Sequence, residues 1–308
     1  MSNIVSLENV TKRYGDMRGI EDVTVDFEEG KVTGFLGLNG AGKTTTMKII
    51  TTYFKPNSGK VYVNSIDAIQ EPYKVRKFIG YLPENFPIYD NLTVLDFLKF
   101  VALSKEVPNV EEEVEKVINQ VGVEKYKNRF LKELSKGYRQ RVGIAQAIIG
   151  DPKVIILDEP TQGLDPAQII EIRKLIKSLS ANRTIILSTH IMQEVEAICD
   201  NLVIIHEGKI RMSGRVKDLK EQIQNEVKVE YIFSKTNNEI NDKIREILKS
   251  YNIHEVQFQD SSVTFNINKK DERILFEISK KLVEDNIEFL YINKNTITME
   301  DLFLKAIQ

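Results

Sequence analysis

An apolar run, "KVTGFL", opens into the loop "GLNGAGKT" (Gly37–Thr44) and then into residues that favour helix. Few features restrict the possible folds of a chain as much as this order of strand, tight loop and helix. The glycines let successive backbone N–H groups turn inward around one point, and the helix behind them aims its positive end there. That is a seat for an anion. Lys43 adds a cation on a flexible stem, and the Thr44 hydroxyl suits a hard divalent ion. The spacing G-x-x-x-x-G-K-[ST] is that of phosphate-binding loops, with Lys43 at the β/γ end of the phosphate chain. A bare pattern of this kind can also be a flexible turn, and the strand before and helix after it weigh against that reading.

The remaining composition narrows the partners. The 308 residues suffice for about two domains, and 42% hydrophobic with 29% charged residues fits a soluble globular protein with a sizeable core. A net charge of -2 gives no general field for nucleic acid. The single cysteine, Cys199, excludes an intrachain disulfide framework and fits a reducing compartment. It reads as a packing residue, and three scattered histidines do not make a zinc site. The opening "MSNIVSLENV" lacks the layout of a signal peptide, and no apolar run reaches the roughly 18 residues a membrane helix needs. A membrane role is therefore expected to act through a partner.

Along the chain, "VSLENVTKRYG" and "IEDVTVDFEEG" read as strands, with Glu29–Gly30 as a hairpin turn into the strand Lys31–Leu36. A helix is expected over Lys43–Tyr53, and short strands at "KVYVN" and "FIGYLP". From Leu92 to Gln120 the apolar residues recur at helical spacing, with Thr93 as a cap. Then strands "KVIILDEP" and "TIILST" alternate with helices "PAQIIEIRKLIKSL" and "IMQEVEAICDNL", which predicts a parallel sheet buried on both faces. The hairpin "LVIIHEGKIRMSG" closes this part. A polar helical linker is expected over Arg215–Gln224. Beyond it, the predicted order strand, helix, two strands, helix, strand resembles a ferredoxin-like βαββαβ unit with a trailing helix. Residues 1–220 and 221–308 are thus the expected domains, with a helical subdomain at about 85–150.

Chemistry gathers at the ends of the apolar strands. "VIILDEP" places Asp158 and Glu159 where an open α/β sheet collects ligands. Alone, two such acids read as a solvated turn. Beside the glycine loop, Asp158 is expected to hold Mg²⁺ through water and Glu159 to polarise an attacking water. His190, after "TIILST", could touch a γ-phosphate and that water, although a lone histidine is more often a surface or core residue. Asp165 in "GLDP" is expected to cap a helix, or to meet a second subunit. "LSKGYRQR" is less settled. Ser135 at a helix N-cap and Gly137 just inside it form another anion seat, yet nothing near them in sequence supplies the anion.

The ordered set "KRYG", "GLNGAGKTT", "GYLPE", "LSKGYRQR", "VIILDEPTQGLDP" and "LSTH" resembles the ATP-binding subunit of ABC transporters over residues 1 to about 220. The resemblance implies an α/β P-loop NTPase core with antiparallel β and helical subdomains. It implies ATP and Mg²⁺ as ligands and a second copy of the chain, or a similar ATPase subunit, as partner. In this family Ser135 and Gly137 would cover the γ-phosphate held by the other subunit, which supplies the missing anion. Tyr14 would stack on adenine. Gly37, Leu38, Asn39, Gly40, Ala41, Gly42, Lys43, Thr44 and Thr45 would wrap the phosphates, and Glu84 would meet Mg²⁺ or water. Glu159 would be the base, with Lys43 and His190 assisting, and Asp165 would lie at the subunit contact. Each motif occurs once, so the simplest assembly is a two-fold pair with two shared sites.

The resemblance further implies an integral membrane permease as partner, a peripheral position on the cytoplasmic face of the membrane, and no nucleic acid. Lys136, Tyr138 and Glu84 stand where most members have glycine, glutamine and glutamine. Together with "MEDLFLKAI" they look like the ABC-2 exporter branch. An ABC ATPase of DNA repair or translation is the main alternative. Repair types carry a long coiled coil between loop and signature, and translation types usually carry two units per chain; neither is present here. A small-molecule kinase would have no use for "LSKGYRQR".

Overall fold

The computed structural model describes residues 2–15, 17–87 and 89–307, which form two compact units, Met1–Val216 and Lys217–Ala306. In the first unit, β1 (Asn3–Tyr14) and β2 (Met17–Glu28) precede β3 (Val32–Leu36), the glycine loop and α1 (Lys43–Ile50). Next come β4 (Ser58–Val63), β5 (Ile66–Asp67), α2 (Pro72–Arg76) and β6 (Ile79–Leu82). Helices α3 (Val94–Ser104), α4 (Val110–Val121) and α5 (Lys136–Ile148) follow. The unit ends with β7 (Val154–Asp158), α6 (Pro166–Leu179), β8 (Thr184–Thr189), α7 (Met192–Ile198), β9 (Asn201–His206) and β10 (Lys209–Arg215).

These strands make two sheets. One is antiparallel in the order β2-β1-β4-β5; the other has the order β10-β9-β3-β8-β7-β6, parallel except for the β9–β10 hairpin. Every residue of β3, β7 and β8 is buried, as expected of strands covered on both faces. Alternation divides β7 between two cores. Ile155 and Leu157 pack with Leu98, Val117, Ile118 and Val142 of α3–α5, whereas Val154 and Ile156 pack with Phe27, Met47, Ile50 and Val61 on the other face. Register then sets the site. Leu36 pairs with Thr189 and Asp158 with Ser188, so three strands end side by side.

One expectation fails. Glu29–Gly30 is a turn, with Gly30 at φ 72°, but it closes no hairpin. β2 pairs with β1 in the antiparallel sheet, whereas β3 pairs with β8 and β9 in the parallel one. All five residues of β3 are apolar or small and buried, a run that finds cover only at the sheet centre. The turn is a crossing between sheets, pinned by the Gly30 N–H donating to Thr184 Oγ1 at 2.9 Å.

The second unit begins in α8 (Val216–Gln224) and continues through β11 (Glu226–Phe233), α9 (Asn238–Ser250), β12 (Val256–Gln259) and β13 (Ser262–Asn268). It ends with α10 (Arg273–Glu284), β14 (Phe289–Thr296) and α11 (Met299–Ile307). Its antiparallel sheet has the order β12-β13-β11-β14, the ferredoxin-like arrangement. Val229, Tyr231, Phe233 and Phe265 of the sheet pack on Ile244 and Leu248 of α9 and Ile278 and Leu282 of α10. The buried Tyr231 hydroxyl is satisfied by the Leu275 carbonyl at 3.1 Å and Ser279 Oγ at 2.8 Å.

Candidate functional site

The loop after β3 is held in shape by backbone constraints. Gly40 and Gly42 take φ 79° and 110°, conformations that side chains resist. Gly42 is also the N-cap of α1, and no side chain caps the amides of that helix start. A Cβ on Gly37 would lie 2.5 Å from the Ile205 carbonyl, and one on Gly42 2.7 Å from Ile20 Cγ2. The loop is tied down by Gly37 N–H donating to the Thr189 carbonyl at 3.2 Å and Gly208 N–H donating to the Ala41 carbonyl at 2.9 Å.

Beside the loop lies a cleft of about 370 Å³ lined by Tyr14, Gly19, Asn39, Gly40, Gly42, Lys43, Thr44, Thr45, Glu84 and Glu159. Buried Lys43 donates to the Gly37 carbonyl at 2.8 Å and the Leu38 carbonyl at 3.3 Å, while Leu38's own side chain is exposed. The Lys43 ammonium also sits 3.1 Å from Glu159 Oε1, with both side chains 6% exposed. It approaches off the hydrogen-bonding direction, so Oε1 is buried without a hydrogen bond. The ammonium charge compensates it there. Glu159 Oε2 is hydrogen-bonded to His190 Nδ1 at 2.9 Å. His190 reaches this contact with its side chain 38% exposed, open to solvent on one side.

Asp158 is fully buried at the end of β7. Ser188 Oγ donates to its Oδ1, and Tyr81 Oη donates to Oδ2 at 3.5 Å. Burial raises the Asp158 pKa, although hydrogen bonds from Ser188 and Thr44 favour the ionised form. Glu159, next along, takes φ 50° and donates its N–H to both Ser188 Oγ (3.0 Å) and the Ser188 carbonyl (3.2 Å). An unfavourable backbone conformation held by two hydrogen bonds points the carboxylate into the cleft. Burial likewise pushes the Cys199 thiol far up, and a Cβ on Gly34 would come within 3.0 Å of its sulfur, so Cys199 is a packing residue.

At the mouth, Tyr14 Oη lies 3.4 Å from Thr45 Oγ1, and its ring stands edge-on to Phe54 with centroids 5.8 Å apart. Glu84 is exposed on the cleft wall, where Gln162 Nε2 donates to its Oε1 at 3.4 Å.

Ser135, Gly137 and Asp165 line no part of this cleft. Ser135 is exposed and caps α5, its Oγ accepting from Tyr138 N–H at the long distance of 3.5 Å. Gly137 is buried against Gln168 of α6, and Asp165 caps α6 by accepting from Gln168 N–H at 2.9 Å. Lys136 lies over Gly163, where an added Cβ would meet its Nζ. The helix start at Ser135 therefore forms no part of its own chain's cleft lining. Sequence reasoning missed Gly19, Tyr81, Gln162 and Ser188. Ser188 sits inside the quoted "LSTH", and only strand register reveals that it pairs with Asp158.

The family model described as ABC transporter matches residues 20–162. The bacitracin transport ATP-binding protein BcrA of Bacillus licheniformis is 31% identical over 313 residues, covering 100% of this chain and 98% of the relative. The ABC transporter ATP-binding protein NatA of Bacillus subtilis is 34% identical over 240 residues, covering 75% and 96%. Among solved structures, an ATP-binding subunit of an ABC transporter is 31% identical with a TM-score of 0.64, covering 71% of this chain and 92% of the other. A dimeric ATP-binding cassette bound to ADP and Pi in a post-hydrolysis state is 26% identical with a TM-score of 0.63, covering 69% and 98%. With matches that run the length of its relatives, this chain belongs to the ATP-binding subunits of ABC transporters, enzymes that hydrolyse ATP.

Proposed function

We propose that ATP binds in the cleft beside the glycine loop and is hydrolysed only when a second copy of the chain covers it. The observation that carries this reading is the separation of parts. One region joins the loop, Lys43 and Glu159, while the exposed seat at Ser135 lies outside the cleft lining. Residues 37–45 would wrap the phosphates, and Tyr14 would stack on adenine beside Thr45. Arriving phosphate would draw Lys43 from the loop carbonyls and from Glu159, freeing that carboxylate to take a proton from the attacking water. His190, bonded to Glu159 through Nδ1, would hold the base in place and reach the γ-phosphate. Ser135, Gly137 and Asp165 would act across the pair. Catalysis of this type is mainly positioning and charge stabilisation.

Thr44, Glu84 and Asp158 offer only oxygen donors, and no group of three or more His, Cys, Asp or Glu among the described residues is placed to hold a metal ion by itself. That fits Mg²⁺, which keeps its waters and shares phosphate oxygens instead of entering an all-protein cage. Bound there, it would spread the charge of the phosphate oxygens.

By the same reading, the paired chains drive a separate permease of the ABC-2 exporter type from the cytoplasmic face of the membrane. Residues 1–220 would be the ATPase and 221–308 an accessory domain. No described helix is long and apolar enough to cross a membrane, and the bacitracin transport relative supports transport as the purpose. Glu159→Gln tests the reading. It keeps the shape of the base but removes its proton affinity, so turnover should fall by about a hundredfold or more while ATP binding persists and dimers accumulate. Wild-type turnover in this variant would remove Glu159 as the base.

A further inference from the structure

Glu194, in α7, is a carboxylate that nothing above uses. Its side chain is 1% exposed, inside the first unit. Oε1 accepts from Thr161 Oγ1, and Oε2 accepts from Thr189 Oγ1 at 2.6 Å. Both threonines are themselves buried. Thr161 follows Glu159 by two positions, and Thr189 immediately precedes His190. Thr189 is fixed further: its Oγ1 accepts from Ile191 N–H at 3.0 Å, and its carbonyl accepts from Gly37 N–H at 3.2 Å. One buried carboxylate thus holds together the two segments that carry the Glu159–His190 contact.

We propose that Glu194 is a positioning residue for ATP hydrolysis. It clamps the segment after β7 to the end of β8, so that His190 meets Glu159 at the distance the reaction needs. This rests on the reading of Glu159 and His190 as the reacting pair. A buried carboxylate is costly to desolvate even with a hydroxyl donating to each oxygen, and an apolar residue would fill that space at less expense. Its geometric consequence is specific. The clamp leaves Glu159 and His190 no independent movement of the chain, and misplacement of a reacting group by about 1 Å can cost two orders of magnitude in rate.

The clamp predicts how variants combine. In the full chain, Glu194→Ala should lower kcat about tenfold or more while KM for ATP changes less than about twofold. Glu194→Gln, which can still accept from one hydroxyl, should fall between. In a His190→Ala background the same Glu194→Ala change should cost less than about twofold, because the group it positions is gone. Additive losses, or a loss carried by KM, would overturn the proposal. Should Glu194→Ala fail to fold, Thr189→Val against Thr189→Ser carries the test. Serine keeps the hydroxyl and should retain at least half of wild-type kcat, whereas valine should lose about tenfold; equal rates for the two would overturn it. Glu159→Gln is measured alongside. If that variant turns over normally, the assignment of the base is wrong; if it is inactive and Glu194→Ala is not, only the clamp is wrong.

Discussion

Two helices of the first unit begin where a glycine-containing segment meets a helix start, and the contrast between them carries the functional account. At α1 the cap is Gly42 at φ 110°, with no side chain turned onto the helix amides. Around it stand a buried lysine, two carboxylates and the ends of three strands. At α5 the cap is Ser135 at φ −61°, whose hydroxyl already turns back on its own helix, at the long distance of 3.5 Å. No part of the cleft lining surrounds it. The first start is a complete cradle with chemistry beside it. Under the proposed pairing, the second is half a cradle that closes on a phosphate brought to it.

Ser135→Arg should break the second start most severely. An arginine there crowds the seat, and turnover should drop on the order of a hundredfold, with ATP-dependent pairing lost but ATP binding to the chain retained. Normal pairing, read by sedimentation with and without ATP, would erase the distinction between the two starts. Gly42→Ala attacks the first start instead. The added methyl meets Ile20 in a left-handed conformation that costs about 1–2 kcal/mol, so ATP affinity should weaken roughly tenfold in a direct titration. Gly137→Ala should be milder, because its new Cβ meets the end of a movable Gln168 side chain. Equal losses in the two alanine variants would argue that both helix starts are the same kind of site.

Smaller effects follow from charge. Burial raises the Asp158 pKa, so its protonated form is favoured by folding and its ionised form is a cost to stability. The sign follows: that cost is absent below the ordinary carboxylate range and complete once pH exceeds the raised pKa. Asp158→Asn should therefore raise the thermal midpoint at neutral pH, and the gain should shrink as pH falls through the raised pKa, while turnover is lost. A gain that grew in acid would contradict the assignment. Glu84 places an extra negative charge on the cleft wall, and Glu84→Gln should relax the Mg²⁺ requirement of the ATPase. An unchanged Mg²⁺ titration would exclude Glu84 from the ion's surroundings.

Much of this was legible locally. The strand–loop–helix order around Gly37–Thr44 and the caps at Thr93, Ser135 and Asp165 depend on neighbours a few residues apart, and the structure has each of them. The order of strands and helices after Gln224 was legible for the same reason. What resisted was pairing across long separations. Glu29–Gly30 has the chemistry of a hairpin turn, yet burial of all five β3 residues carries the chain into a different sheet. Ser188 and Glu194 look ordinary in sequence. Their importance comes from a register that sets Ser188 beside Asp158 and from a fold that brings α7 under Thr161. Likewise, no local pattern shows that Gly19 lies against the Tyr14 ring.

The central claim is that one polypeptide lacks a complete reaction centre. The direct measurement is ATP turnover per chain across a dilution series, with molecular mass determined on the same samples. The account predicts that turnover per chain falls away as pairs dissociate and that the monomeric samples still bind ATP. Full-rate hydrolysis by a sample shown to be monomeric would contradict it.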